Sequence, residues 1–381
     1  MNVEQILAKL VSFPILGGEP NLAIIEWLEE YLANLGITTH RVYNAEKTKS
    51  SLHCRIGPAV DGGIILSGHT DVVPVAGQNW NTDPFILTPI GDKLYGRGSC
   101  DMKAFLACFL SVAPTMIKTN LKKPIYFALS YDEEIGCIGA PDLIAAISKH
   151  YDERPAYAWI GEPSMLMPIV GQKGICVQQT IVNGSAGHSS RIRQEVSAIH
   201  EAAKLVLWLE NKMNELAKES IDDRFHPPHS SIHVGTFNGG IAPNVIADRC
   251  SFKWDIRCIP KDSIPEILAE FEAHCRIREA VLRDLFPAFK IETINDHPEV
   301  PALDTKEDAE ITLLIKELTG SSILDTVAYA AEAGQFEFGG FPAIICGPGD
   351  IAQAHRANEF VAKDQLHHGV VLIERLVQKF S

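Results

Sequence analysis

Five places along this 381-residue chain set metal-binding or proton-transfer side chains just beyond a run of strand character or just ahead of a helical one. IILSGHTD ends in His69 and Asp71, and LYGRGSCDMK holds Asp101 before a helical run. IYFALSYDEE runs into Asp132, Glu133 and Glu134, AYAWIGEP ends at Glu162, and PAIICGPG leads to a loop with His355. Singly, each has an ordinary explanation: a surface histidine, a turn-forming aspartate, a solvated glutamate pair, a helix N-cap at Asp101. Five coincident occurrences, most without a neighbouring Lys or Arg, are harder to explain that way. Crowded carboxylates repel one another unless a cation holds them. Imidazole together with carboxylate suits zinc or a related transition ion. Two ions ~3.5–4 Å apart, sharing one bridging carboxylate, suit co-catalytic hydrolysis. One glutamate of the YDEE run is then left as general base for metal-activated water. Asp71, behind His69, is placed to fix its tautomer.

The elements that must position these residues follow from hydrophobic periodicity. Residues 20–35 carry apolar side chains at helical spacing, with Gly36 as C-cap. Short strand-like runs (ITTHRVY, SLHCRI, GIILSGH, KKPIYFALSYDEE, PAYAWIGEP) alternate with helical segments at 101–118 and 139–149. That alternation predicts an α/β domain with a mostly parallel sheet, in which ligands bind at the carboxyl ends of the strands. Near residue 172 the pattern changes. ICVQQTIVNGSAG, a helix over 196–217, SSIHVGTFNGG, RCSFKWDIRCI, a helix over 264–281 and FKIETI read as β-α-β-β-α-β, a ferredoxin-like α+β insert. The expected organisation is a discontinuous catalytic domain, residues 1–172 and 289–381, interrupted by an inserted domain over 173–288.

Composition narrows the class. The chain is 46% hydrophobic and 22% charged, as in ordinary globular proteins. Its formal charge of −14 argues against nucleic-acid or anionic-membrane partners, which need a basic footprint. No apolar run approaches the ~20 residues of a bilayer span, and MNVEQILAKLVSF lacks the features of a secretory signal. Nine cysteines without a CxxC pair fit reduced thiols and a cytoplasmic location.

GHTDVVP, NWNTDPF, LYGRGSCDMK, YDEEIG, IGEP, GHSS and QAHRANEF, in that order along nearly the whole chain, resemble the acetylornithine deacetylase, succinyl-diaminopimelate desuccinylase and aminoacylase family of two-metal amidohydrolases. The resemblance implies that His69 and Glu162 hold one divalent ion, and Glu134 and His355 the other. Asp101 would bridge them, with Asp71 orienting His69 and Glu133 acting as general base. Zinc is the expected metal, with cobalt or manganese as alternatives. The resemblance also implies a cis peptide at Asp101–Met102 and a homodimer formed through the insert. In that dimer His188 of GHSS would reach a neighbouring active site and stabilise the oxyanion. Two positions depart from the family pattern: Ala104 stands where glycine is common, and Cys100 precedes the bridging aspartate, where it reads as structural.

The resemblance implies a small N-acylamino acid as substrate. Asn244 and Arg257, in GGIAPNVIADRCSFKWDIR, match the pattern by which relatives orient the amide or bind a carboxylate, for which guanidinium is suited. Arg257 pairing with an acid of its own sheet is the alternative. In VAYAAEAGQF, Glu332 is expected to accept the δ-ammonium of N2-acetyl-L-ornithine, which favours hydrolysis to L-ornithine and acetate, a step of arginine biosynthesis. Broader N-acylamino-acid or small-peptide hydrolysis and desuccinylation are the alternatives on the same scaffold. A catalytically silent binding protein is disfavoured by the intact Glu133.

Overall fold

The computed structural model describes residues 1–381, and the chain forms two compact units. The first comprises Met1–Gly171, Leu303–Thr326 and Ala331–Ser381; the second comprises Gln172–Ala302 and the short stretch Val327–Ala330.

A nine-stranded sheet forms the centre of the first unit. Its four middle strands, in spatial order Ile125–Ser130, Ile64–His69, Tyr157–Pro163 and Ala343–Gly347, run parallel. Ser50–Ile56 and Thr39–Tyr43 continue one side antiparallel, and Ile169–Gln172 continues the other. Every residue of the four middle strands is buried, which is why they read as apolar runs rather than alternating ones. The helix Lys103–Met116 lies against two of them at close range. A Cβ on Gly161 would sit 1.9 Å from the Phe105 ring, and one on Gly68 would sit 2.5 Å from Leu106. The glycines that precede Glu162 and His69 therefore admit the helix that follows Asp101.

The second unit is built on an antiparallel sheet in spatial order Ser231–Gly239, Arg249–Cys258, Gly174–Asn183, Lys290–Val300. With the helices Ala198–Glu219 and Ile264–Leu282 it has the ferredoxin-like order. Gly174–Asn183 alternates in burial residue by residue, its inner positions joining a core around Phe252, Trp254 and Phe271.

This unit extends past the expected boundary at 288. The 11-residue strand Lys290–Val300 pairs with Gly174–Asn183 and so belongs with the second core. Its outer half, NDHPEV, is polar, contains a proline and has two register shifts, so no alternation marks it in the sequence. All nine cysteines are free and buried, and no helix is long and apolar enough to cross a membrane.

Candidate metal centre

The parallel strands bring their carboxyl ends to one edge of the sheet. Ile64–His69 and Ile125–Ser130 pair with His69 opposite Ser130, so the Asp132–Glu134 turn starts beside the imidazole. Tyr157–Pro163 lies on the other side of the His69 strand and supplies Glu162. Asp101 comes from a loop, immediately before the Lys103–Met116 helix. The N-cap of that helix is Met102, without a side-chain cap bond, so the Asp101 carboxylate is not used in capping. The Asp101–Met102 peptide is cis.

Asp101 turns its two oxygens toward two different histidines. Oδ1 lies 3.2 Å from His69 Nε2, and Oδ2 lies 3.3 Å from His355 Nε2. His69 Nε2 is also 3.8 Å from Glu162 Oε1, and His355 Nε2 is 3.0 Å from Glu134 Oε2. Ligand atoms of His69, Asp101 and Glu134, and those of His69, Glu133 and Glu162, lie within 4.8 Å of one another. Each histidine thus has its own glutamate, and one aspartate faces both. The ionic neighbours of Asp101, Glu134 and Glu162 are imidazoles rather than lysine or arginine.

The electrostatics are those of a site built for a cation. Burial, with the charges of Asp101 and Glu133, raises the Glu162 carboxyl well above the ordinary range. Burial raises Glu133 as well, reinforced by Glu134 and Asp101 against the opposing pull of His69. Burial opposes a charged His69, but the Asp101 hydrogen bond and the Glu133 and Glu162 charges outweigh it and raise its pKa. Hydrogen bonds to Asp101 and Glu134 push His355 up to about 10. Glu162 Oε1 is buried and has no hydrogen-bond partner. Buried polar atoms are normally satisfied, and an orphaned carboxylate oxygen 3.8 Å from an imidazole nitrogen fits a site for a divalent cation.

Asp71 acts differently from the expectation. His69 Nδ1–H donates to the Asp71 backbone carbonyl at 2.9 Å, whereas the Asp71 carboxylate lies 3.7 Å away. The carboxylate instead accepts the backbone N–H groups of Glu133 and Glu134, each at 3.2 Å. The main chain therefore orients the His69 ring so that Nε2 faces Asp101 and Glu162, and the Asp71 side chain holds the glutamate turn. Asp132 has a left-handed backbone (φ 56°), pairs with Lys49 and accepts the Gly18 N–H at 2.8 Å. It is neutralised, which sets it apart from the two glutamates that follow. Cys137 was missed by sequence reasoning: its thiol donates to Glu133 Oε1 at 3.3 Å, from a turn with no sequence signature.

Glu332 also departs from the expectation. It is 1% exposed, with Oε2 3.4 Å from the Ser67 hydroxyl and Oε1 without a partner. Burial pushes its carboxyl up to about 7. The side chain is enclosed beside the His69 strand, which suits support of the cluster better than contact with a substrate ammonium.

The remaining residues singled out from the sequence lie in the second unit. A two-residue ladder sets Gly187–His188 against Val245–Ile246, and the Ser189 N–H donates to the Asn244 carbonyl at 3.0 Å. His188 and Asn244 are therefore neighbours. Arg257 donates to Asp255 Oδ1 at 3.4 Å, an acid of its own strand.

Residues 65–379 match the model of peptidase family M20/M25/M40. The chain belongs to that family. Among relatives of this M20 chain is the acetylornithine deacetylase of Aliivibrio salmonicida, 32% identical over 95% of this chain and 92% of its own length. Its fold is shared with a metallo-carboxypeptidase of Sulfolobus solfataricus (TM-score 0.78, 17% identity, 100% and 99% of the two chains). It is shared too with the YXEP protein of Bacillus subtilis, described as a dinuclear metal-binding peptidase (TM-score 0.68, 14% identity, 99% and 97%). The M20 chain is thus a member of a metallohydrolase family with the α/β architecture and acidic histidine cluster such chemistry requires.

Proposed function

We propose that this protein hydrolyses the N-acyl amide of an amino acid at a two-metal centre, with N2-acetyl-L-ornithine as the preferred substrate. The observation that carries the reading is Asp101, whose oxygens face two histidines that each have a separate glutamate. His69 and Glu162 would hold one ion, Glu134 and His355 the other, and Asp101 both. When bound, the ions lower the pKa of water and polarise the scissile carbonyl. Zinc fits this donor set, and cobalt or manganese would be accepted.

The residues of the chain do the rest. Glu133, held by the Cys137 thiol and by a backbone that Asp71 grips, takes the proton from the attacking water and passes it to the leaving amine. The C–N bond breaks to release acetate and the free amino group. His188 is assigned to oxyanion stabilisation in the active site of a second subunit. Its Nδ1 accepts the Ser190 N–H at 3.2 Å, which leaves the proton on Nε2, the donor tautomer this role needs. Asn244, adjacent to it, is assigned to amide orientation, and Arg257 to the substrate carboxylate once released from Asp255. The protein is read as a cytoplasmic homodimer.

The acetylornithine preference draws on the deacetylase relatives. The enclosure of Glu332 favours a second reading, a broader N-acylamino-acid hydrolase. One metal-loaded preparation assayed on acetylornithine, succinyl-diaminopimelate, acetylmethionine and a dipeptide separates the two. Acetylornithine should lead in kcat/KM by at least about tenfold, or ~1.4 kcal/mol. Equal turnover of unrelated acetylamino acids, with Glu332→Ala harmless, would leave only the broader reading.

A further inference from the structure

Sequence reasoning singled out His355 in QAHRANEF and passed over the acid four residues later. Glu359 is 1% exposed, and its carboxylate makes four hydrogen bonds. Oε1 accepts the backbone N–H groups of Cys100 at 2.8 Å and Asp101 at 3.0 Å. Oε2 accepts the Gly98 N–H at 3.0 Å and Arg97 Nη1 at 2.7 Å. The loop that presents Asp101 is therefore wrapped around one carboxylate, and that carboxylate comes from the His355 segment.

Arg97 continues the connection. It is 1% exposed, donates to the Arg356 carbonyl at 3.3 Å and to Gln78 Oε1 at 2.7 Å, and lies over the Trp80 ring at 5.2 Å. Gln78 Nε2 then donates to the carbonyl of His355 itself, at 2.9 Å. His355 has a left-handed backbone (φ 61°), an uncommon state for a non-glycine residue that must be held by its surroundings. Three segments of the chain, 74–80, 96–101 and 355–359, meet in one hydrogen-bonded knot. Two of them end at side chains that face each other across the cluster.

A carboxylate so near an acidic metal centre would ordinarily add to its repulsion. Arg97 and three backbone N–H donors neutralise this one, so Glu359 serves the site through geometry. Its loss would free Asp101 and His355 together, and both face the position assigned to the second ion.

We infer that Glu359, through Arg97 and Gln78, is a positioning residue that locks Asp101 and His355 in register and thereby sets the affinity of the ion held by Glu134 and His355. The inference rests on the two-metal reading above. The experiment measures zinc stoichiometry and dissociation constants by equilibrium dialysis on the full chain, for wild type, Glu359→Gln and Gln78→Ala, with circular dichroism and kcat and KM alongside.

Glu359→Gln keeps the shape but turns an NH2 toward one set of donors. It should bind the ion assigned to Glu134 and His355 ~10–100-fold less tightly, the usual scale for residues that orient metal ligands. At zinc concentrations that refill the site, kcat should recover and KM should stay close to wild type. Gln78 is half-buried in a loop outside both apolar cores, and circular dichroism checks that Gln78→Ala keeps the fold. Gln78→Ala should weaken the same ion by a smaller factor, and combining both changes should cost less than the product of the two. Wild-type zinc affinity in folded Glu359→Gln overturns the inference. If that variant does not fold, Gln78→Ala decides: unaltered affinity there overturns it too. A wild type that binds fewer than two ions would overturn the two-metal reading itself, a separate outcome.

Discussion

Two groups of histidines in the first unit make opposite use of the same side chain. At the metal-centre edge, His69 and His355 are surrounded by carboxylates, which raise their pKa values. On the outer strands of the same sheet, His40 and His53 stand opposite each other across the antiparallel pair, and His150 closes on both. Ring centroids there are 3.7 Å apart for His40 and His150, and 5.3 Å for the other two pairs. Their companions are one another and Tyr151, whose hydroxyl lies 3.0 Å from His53 Nδ1. Burial, then the charges of His40 and His150, lower His53 to about 4. The difference teaches that histidine density does not make a metal site. Anionic neighbours do, because they supply both the ligands and the field that favours a cation.

The contrast can be broken in four ways, beginning with the largest expected effect. His69→Ala should abolish both metal retention and turnover, since it removes a ligand that faces Asp101 and Glu162; metal analysis after dialysis, with an amidase assay, checks it. An active, metal-replete variant would refute the assignment. Glu133→Ala should keep its metal and lose ~10²–10⁴-fold in kcat, the range for a general base. Loss of metal in that variant would reassign Glu133 as a ligand.

The third prediction concerns pH. His53 binds its proton less readily in the folded state than in the unfolded chain, so the unfolded state takes up more protons below the ordinary histidine range. Stability should therefore rise with pH between about 4 and ~6.5. Between pH 7 and 5 this group alone would cost up to ~2 kcal/mol. Denaturant midpoints of wild type and His53→Gln across that range test it, with the variant showing the shallower dependence. Parallel curves would mean that His53 is already protonated in the fold. Last, His150→Ala should change zinc stoichiometry and kcat by less than about twofold, as expected of groups without shared partners. A larger change would show that the two histidine groups communicate.

Much of the centre was legible beforehand because strand ends are local features. GHTD, YDEE and IGEP each place a polar side chain directly after an apolar run, and the parallel sheet carries them to one edge. The glycines of GHTD and IGEP were visible as letters, but the ring of Phe105 that requires one of them was not. Less legible were contacts whose partners are backbone atoms. Asp71 beside His69 suggested a side-chain pair, while the fold gives the histidine a carbonyl and sends the carboxylate to the next strand's turn. Glu332 read as a substrate contact because its neighbours in sequence resemble a specificity loop. Its actual burial depends on where that loop packs. The boundary at 288 stopped short of FKIETI, the last strand read for the insert, and the polar, bulged NDHPEV half that continues it carries no alternation.

The chain's own letters determined which residue types are present at which strand ends, and hence the α/β class, the insert and a metal-dependent hydrolytic chemistry. These are properties of short segments, set by periodicity and side-chain chemistry within a few residues. Only the tertiary structure decided that Asp101 divides its oxygens between two histidines more than thirty and two hundred and fifty residues away. The same holds for Glu359, which reaches back to the Asp101 loop. Pairings of that kind depend on where the sheet edge and the helix close against each other, and no local pattern encodes a distance across the fold.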